Sequence, residues 1–308
     1  MLPRSNSGKG TTLCEGTNRQ LIIDWISAIS YTLNSVCGLV SHHSPSSETM
    51  RTIRNVYHYV LGFVFFSCNS SALLSQENYL VESENKARLV LEKTIEVLGG
   101  QSFLQTQDIT RHGRLYQFRK DDLQGLGQFQ SYDKFPLKLR RELGKKKEII
   151  DINNGDRGWK IEYKVVKDQS EEEIKSFQAN MKHNLDYVLR FRLTEKGMKF
   201  RYLGKSRIDL DEVEGVQLID SEDDRIKIFV NAINFLPVKM EYKTPAFGKR
   251  WPAEDERFFY NYHEIQGVQI PFKTVRFSNG YKSGETQIDS VKINCALPDS
   301  LFVASLKK

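Results

Sequence analysis

The stretch Trp159-Lys-Ile-Glu-Tyr-Lys-Val165 alternates apolar or aromatic side chains with charged ones at every step. A period of two places the two kinds of side chain on opposite faces of an extended strand. One face is then sheltered and the other is wet, as in an antiparallel sheet that is packed on one side. The stretch therefore predicts an antiparallel β fold.

The same period recurs on both sides of this stretch. Alternation is clear over 225–230, 238–243 and 258–262, and further strands are predicted near 109–118, 126–132, 137–143, 147–152, 199–203, 214–219, 268–277 and 285–293. Asn279-Gly280 predicts a tight hairpin turn, and Asn153-Asn154-Gly155-Asp156 predicts a second turn. About eleven strands joined mostly by turns indicate a mainly β (α+β) chain with a meander or barrel-like sheet.

Two segments instead have the period of an amphipathic helix. Apolar residues recur at helical spacing over 83–98, and Gly99-Gly100 predicts the end of that helix. A second helix is predicted to begin at the cap Ser170 and to continue as one element to Leu189. Two such helices on a sheet enclose a filled core if the sheet closes, and a lipid-sized cavity if it gapes. The period leaves both outcomes open.

Residues 50–76 are predicted to be a secretory signal peptide. A basic head begins at Met50, an apolar run covers 56–66, and small residues follow; the run is shorter than the roughly 20 residues that span a bilayer. Residues 1–49 are then a non-native or disordered extension, and 77–308 form the folded domain. The small residues before and at Ala72 suit cleavage to a soluble periplasmic form. The imperfect lipobox Phe65-Phe66-Ser67-Cys68 offers the alternative of a lipid anchor on Cys68.

Composition excludes several classes of protein. The 308 residues are 39% hydrophobic and 27% charged, which indicates a globular chain. Only Cys295 lies beyond the predicted signal peptide, so no internal disulfide is expected there. The net charge of +6 is too mild to indicate nucleic acid as a partner. No metal-ligand spacing and no nucleophile or acid–base set is present, so we expect no metal, no cofactor and no enzymatic activity.

A basic run lies between Lys138 and Lys147, with six positive charges in ten residues. Contact with a polyanion or an anionic lipid is one interpretation. A solvated strand edge and hairpin tip, where Lys discourages edge pairing, is the other.

Several motifs together resemble the LolA/LolB family of periplasmic lipoprotein carriers, in particular its divergent lipoprotein-sorting members. The resemblance covers about 86–303 and rests on the order of its motifs: Phe135-Pro-Leu-Lys-Leu-Arg-Arg-Glu142, Ile149-Ile-Asp-Ile-Asn-Asn-Gly-Asp-Arg-Gly-Trp-Lys-Ile-Glu-Tyr163, Phe235-Leu-Pro237, Ile265-Gln-Gly-Val-Gln-Ile-Pro271 and Leu297-Pro-Asp-Ser-Leu-Phe302. Where that family has a basic residue directly before the proline, this chain has Phe135.

The resemblance implies a curved antiparallel half-barrel whose concave face is covered by helices. It further implies a non-enzymatic periplasmic carrier, monomeric, that binds acyl chains of lipoproteins or other lipids for transfer towards the outer membrane. Inner- or outer-membrane transport components are the candidate protein partners. An envelope sensor or protein-interaction module on the same fold is the alternative.

Ten residues are predicted to line the lipid cavity, with ordinary core packing as the alternative for the aromatic ones. They are Phe129, Phe135, Trp159, Ile161, Tyr163, Phe177, Met181, Leu185, Ile228 and Met240.

Overall fold

The computed structural model describes His58, residues 78–246 and residues 251–304. Contacts between residues divide the chain into Met1–Ser75 and Gln76–Lys308, and all described residues except His58 belong to the second unit. Apart from His58, the predicted extension and signal peptide lie outside the described residues. None of the helices described is both long enough and apolar enough to cross a membrane.

Thirteen strands form a single sheet in which every pair of neighbours is antiparallel. The strands are β1 (Asp108–Arg119), β2 (Asp122–Lys134), β3 (Lys138–Leu143), β4 (Ile149–Asn154), β5 (Arg157–Glu162), β6 (Val165–Asp168), β7 (Lys199–Ile208), β8 (Asp211–Ile219), β9 (Arg225–Asn231), β10 (Pro237–Thr244), β11 (Ala253–Ile265), β12 (Val268–Ser278) and β13 (Tyr281–Ile293). Their order in the sheet is β6-β5-β4-β3-β2-β1-β13-β12-β11-β10-β9-β8-β7. The predicted mainly β, antiparallel fold is confirmed, with thirteen strands in place of about eleven.

In the described part of residues 78–304, four α-helices accompany the sheet, together with two short 3₁₀ segments. The helices are α1 (78–97), α2 (Gln101–Leu104), α3 (Glu171–Lys182) and α4 (Leu185–Phe191), and the 3₁₀ segments are Arg192–Thr194 and Asp299–Phe302. Residues 169–198, which include α3 and α4, connect β6 at one edge of the sheet with β7 at the other.

The stretch Trp159–Val165 is two strands and not one. Tyr163 and Lys164 both have positive φ, at 48° and 71°, and form a two-residue hairpin turn between β5 and β6. Because Val165 pairs directly with Glu162, it lies on the face opposite to that of Trp159. The predicted single strand was wrong at this turn, since positive φ at two non-glycine residues leaves little trace in the sequence. The Asn279-Gly280 hairpin, by contrast, is confirmed between β12 and β13.

The single helix predicted after Ser170 is also two helices. Ser170 does cap α3, in a capping box with Glu173, as its position predicted. The helix α3 then ends at its C-cap His183, and Asn184 caps α4 by accepting a hydrogen bond from the backbone N–H of Tyr187. The apolar spacing continues across this point, but the cap at Asn184 and the burial of His183 favour two helices over one.

The sheet is strongly curved. Arg141 on β3 and Arg276 on β12 are four strands apart, which would separate them by about 19 Å in a flat sheet. Both nevertheless line one cavity, and Arg141 lies close enough to lower the pKa of Arg276. The concave face therefore brings β1–β4 towards β11–β13.

Most of the core lies between the helices and the concave face of β7–β12. It joins Ala87, Val90 and Leu91 of α1 with Val188 and Leu189 of α4, all at most 3% exposed. Their strand partners are the alternate apolar residues of the sheet, including Val216, Leu218, Ile226, Ile228, Val230 and Met240. The predicted amphipathic face of α1 and its end at Gly99-Gly100 are both confirmed.

A second, smaller core lies on the convex face of β3–β5. Ile152 and Ile161 pack there against Leu297 and Phe302 of the segment that follows β13. The carboxylate of Asp108 holds that segment by accepting hydrogen bonds from the backbone N–H groups of Cys295 and Leu297, at 2.7 and 3.2 Å. Both faces of this half of the sheet are therefore covered.

Candidate functional site

A cavity of about 450 Å³ lies between α3, the start of α4 and the concave face of the sheet. Its walls come from β1–β4 on one side and from β11–β13 on the other, and α3 lies across it. The cavity directly adjoins the main core, since Leu185, Phe259 and Ile270 belong to that core and also line the cavity. The volume lies within the roughly 300–1,000 Å³ typical of small-molecule sites.

Part of the wall is apolar. It is formed by bulky side chains from the helices and from strands on both sides: Leu98, Leu115, Phe129, Leu139, Phe177, Met181, Leu185, Phe259, Ile270 and Ile288. We call α3 and α4 the cover. Phe177, Met181 and Leu185 belong to it, and the other apolar lining residues except Leu98 belong to the sheet. Met181 is an adaptable side chain that suits ligands of irregular shape.

Much of the rest of the wall is polar, and part of it is charged. Four arginines and four acids line the same space: Arg111, Arg141, Arg257, Arg276, Asp133, Asp151, Glu173 and Asp186. The cavity is thus amphipathic, with polar and apolar regions side by side.

An ion pair joins the sheet to the cover inside the cavity. Arg111 of β1 donates to Asp133 of β2 at 2.8 Å and to Asp186 of α4 at 2.9 Å. Burial alone would lower the pKa of Arg111, but the two carboxylates outweigh it and raise the pKa, so the guanidinium stays charged. Arg111 therefore ties the start of α4 to the concave wall.

Buried polar contacts also anchor the cover to the turn between β8 and β9. Arg192, whose side chain is 1% exposed, donates to Asp220 at 2.6 Å and to Asp224 at 3.1 Å. It also donates to the carbonyl of Lys182 at the end of α3. His183, at the break between α3 and α4, lies 2.9 Å from Asp224 through Nε2. The junction of the two helices is therefore fixed to the sheet.

Four of the ten residues predicted for the cavity line it, and six lie elsewhere. The four are Phe129, Phe177, Met181 and Leu185. Ile228 and Met240 are 0% exposed within the main core. Phe135 packs on Phe191, and its ring lies 4.4 Å from the guanidinium carbon of Arg190.

The remaining three predicted residues lie on or beyond β5. Trp159 and Ile161 pack in the convex core, because their neighbours in the register are the convex-facing Ile152 and Ile150. Tyr163 is in the β5–β6 turn and 78% exposed. On β4 and β5 the alternating apolar side chains therefore lie on the convex face, away from the cavity.

The basic run between Lys138 and Lys147 is divided among several environments. Arg140 and Lys147 form ion pairs with the buried Glu142, at 2.7 and 2.6 Å. Burial would raise the pKa of Glu142, but these two hydrogen bonds outweigh it and lower the pKa. Lys138 pairs with Asp299, whereas Arg141 lines the cavity. The run is therefore not one continuous surface patch.

The charged lining residues were not predicted. Arg257 and Arg276 occupy the polar positions of their strands, which a period of two assigns to the wet face. On a curved sheet the wet face can be the interior of a cavity. The sequence indicates this only by placing a charged residue next to a bulky aromatic one on the same face, as Arg257 is next to Phe259.

The fold and site together define a class: a curved, open antiparallel sheet with an amphipathic cavity under a helical cover. No protein-family model matches the sequence, and no curated protein matches it. Solved structures do match, among them three that align over 97% of their own length.

The first is a LolA superfamily protein, NE2245 from Nitrosomonas europaea, at 16% identity and a TM-score of 0.48, covering 71% of this chain and 97% of that one. The second is a DUF1329 family protein from Desulfovibrio piger, at 11% identity and a TM-score of 0.46, covering 70% and 97%. The third is a domain named for outer membrane lipoprotein sorting, from Vibrio parahaemolyticus, at 12% identity and a TM-score of 0.45, covering 70% and 97%.

Proposed function

We propose that this protein is a non-enzymatic carrier that binds the acyl chains of lipids or lipoproteins under its helical cover. The observation that carries the proposal is the unfilled cavity of about 450 Å³ between α3 and the concave sheet. Transfer of an acyl chain from water into such a space is favourable by about 0.8 kcal/mol for each methylene buried. No covalent step is needed.

The apolar part of the wall supports an acyl ligand. Phe177 and Met181 of the cover face Phe129 of β2 and Phe259 of β11 across the space. These bulky side chains do not fill it, although apolar surface next to empty space forfeits dispersion contacts. A flexible hydrocarbon chain would restore those contacts, and it needs no directional partner.

The cover supports release as well as binding. Its junction is held by charged contacts at Arg192, and its second helix by the pair of Arg111 with Asp186. Opening of the cavity would require these ion pairs to break together. The affinity for a ligand would then depend on the free energy needed to separate the cover from the sheet.

The test is a variant that fills the cavity, paired with one that does not. Leu115 lines the cavity, whereas Tyr116, the next residue on β1, is on the opposite face. The Leu115→Trp protein should bind the fluorescent acyl probe cis-parinaric acid at least tenfold more weakly than the unaltered chain. The Tyr116→Trp protein should bind it within twofold of the unaltered chain.

Both variants are compared by circular dichroism and thermal midpoint, so that loss of the fold is not mistaken for a blocked cavity. Lipid that co-purifies with the unaltered chain, identified by mass spectrometry, would supply the natural ligand class. A protein that binds no acyl probe, or whose binding is unaffected by Leu115→Trp, would contradict the carrier proposal.

We further propose that the carrier acts in the periplasm after export, on the basis of the signal-like segment from Met50 to Ala72. The mass of the protein recovered from membranes and from the soluble fraction tests this. Cleavage after Ala72 gives a soluble product, whereas lipid on Cys68 adds the mass of acyl groups and places the protein in the membrane fraction. A product that retains Met50 would contradict export through this segment.

A further inference from the structure

Two arginines lie directly opposite each other on the concave face. Arg257 of β11 and Arg276 of β12 are partners in the strand register, so their side chains project from the same face, and both line the cavity. Like charges directly opposite on neighbouring strands destabilise a sheet. Their juxtaposition therefore calls for a compensating anion.

The chain itself supplies little compensation. Among the described residues Arg276 makes no side-chain hydrogen bond and no ion pair, and Arg257 donates from Nε to the phenol oxygen of Tyr242 at 2.8 Å. Asp255 is close enough to raise the pKa of Arg276, but it makes no direct hydrogen bond or ion pair with the guanidinium, and its carboxylate accepts a hydrogen bond from the hydroxyl of Thr244. Arg111, in the same cavity, shows the contrast, because two carboxylates neutralise it.

The neighbouring strand is shaped for the Arg276 side chain. Gly284 of β13 is the register partner of Arg276, and a Cβ there would lie 2.7 Å from Nη2 and 3.1 Å from Nε of the guanidinium. A side chain at position 284 would force the guanidinium to move from this position. The glycine thus leaves the guanidinium room to lie across β13, on the wall of the cavity.

The charge of Arg276 is costly as it stands. Burial, together with the like charges of Arg257 and Arg141, lowers the pKa of Arg276 to about 10. At neutral pH the group is still a cation, so the cost is borne by the folded protein. Arg141 is a further arginine of the same cavity, and its register partner Asp151 on β4 also lines that cavity.

We infer that Arg257 and Arg276 form a binding site for an oxyanion, a phosphate or a carboxylate, at the sheet side of the cavity. The inference rests on the proposed carrier function and names its ligand: an anionic amphiphile whose head meets the arginines while its chain lies along the apolar wall. Guanidinium groups match these oxyanions because their planar N–H donors pair with two oxygens at once.

A matched pair of probes tests the inference: cis-parinaric acid, an anion at pH 7.5, and its neutral methyl ester. The unaltered full chain should bind the acid at least tenfold more tightly than the ester. Arg276→Gln should weaken binding of the acid at least tenfold and leave binding of the ester within twofold. Arg114→Gln, which removes an arginine from the opposite face of β1, should change neither.

A second readout separates a ligand site from a structural role. Because the chain compensates the positive charge of Arg276 only weakly, the ligand-free Arg276→Gln protein should unfold at the same temperature as the unaltered chain or at a higher one. A structural arginine would instead lower the midpoint on removal, and that result would overturn the inference.

The outcomes also separate this inference from the proposed function. Equal binding of acid and ester, unaffected by Arg276→Gln, overturns the oxyanion site and leaves the carrier intact. If neither amphiphile binds, the carrier proposal fails, and inorganic phosphate then decides the site. Phosphate that raises the thermal midpoint of the unaltered chain but not of Arg276→Gln supports a site for free anions, and phosphate without effect overturns it.

Discussion

Replacement of Arg192 by methionine tests how firmly the cover is anchored. The side chain is 1% exposed and forms ion pairs with Asp220 at 2.6 Å and with Asp224 at 3.1 Å. Those carboxylates are 9% and 23% exposed, so they would lose their cation without gaining much water. Removal of one partner from a buried ion pair costs about 3–5 kcal/mol, mainly because the other charge is left uncompensated.

We therefore expect Arg192→Met to lower the free energy of unfolding by about 3–5 kcal/mol. In a domain of this size each 1 kcal/mol shifts the thermal midpoint by about 2–4 °C, so the shift should exceed about 6 °C. Urea unfolding of the full chain, followed by circular dichroism, measures the change. The double variant Arg192→Met/Asp224→Asn should lose less than the sum of the two single variants, because it leaves fewer unpaired charges.

The same turn offers a matched control. Arg225 pairs with Asp223, but these side chains are 58% and 70% exposed. Exposed pairs contribute about 0–1 kcal/mol, so Arg225→Met should change the free energy of unfolding by no more than that. If Arg192→Met costs no more than Arg225→Met, burial does not strengthen the contact, and the account of the anchored cover is wrong.

Three further predictions concern backbone, core and pH. Gly99→Ala should destabilise the protein by at least about 2 kcal/mol, because φ is +125° and the new Cβ would collide with the carbonyl oxygen of Gly267. Gly100→Ala should cost about 1 kcal/mol, because φ is +53° but the new Cβ would meet open space. Urea unfolding of the two variants compares these costs. Phe302→Ala should cost about 3–5 kcal/mol in the same assay, since the ring is fully buried in the convex core, and a cost below 1 kcal/mol would show that this core is dispensable. Burial would raise the pKa of Asp224, but hydrogen bonds from His183 and Arg192 outweigh it and lower the pKa below its ordinary value of about 3.9. Its contribution to stability should thus be complete above that value and fall away as the pH drops through the lowered pKa; a stability profile between pH 2 and 6 that Asp224→Asn leaves unchanged would refute this.

The sequence predicts the presence of the helices and strands better than it predicts where they end and which face of the sheet each side chain lies on. The period of two identifies the strands, and the helical face of α1 appears in the structure as Ala87, Val90 and Leu91 in the core. Local conformation at particular residues decides the rest. Positive φ at Tyr163 and Lys164 divides one apparent strand, and a short amphipathic pattern carries no sign of such a turn.

The cavity is harder to predict because periodicity separates two faces without saying which one is concave. On β5 the apolar face of Trp159 and Ile161 is convex and is covered by the segment that contains Phe302. That cover comes from almost 140 residues later in the chain, so no local pattern indicates it. Arg257 and Arg276 are not predicted for the same reason, since a polar strand face can line a cavity as well as face the solvent.

The connection between the two outermost strands limits how the cavity can open. Because residues 169–198 run from β6 to β7, the helices have no free end and cannot swing aside like a hinged flap. Helices α3 and α4 can move only while they stay connected to both edge strands, and flattening of the sheet would stretch this connection. Under the proposed carrier function, the size of a ligand would be limited by the length of this connection as well as by the width of the cavity beneath it.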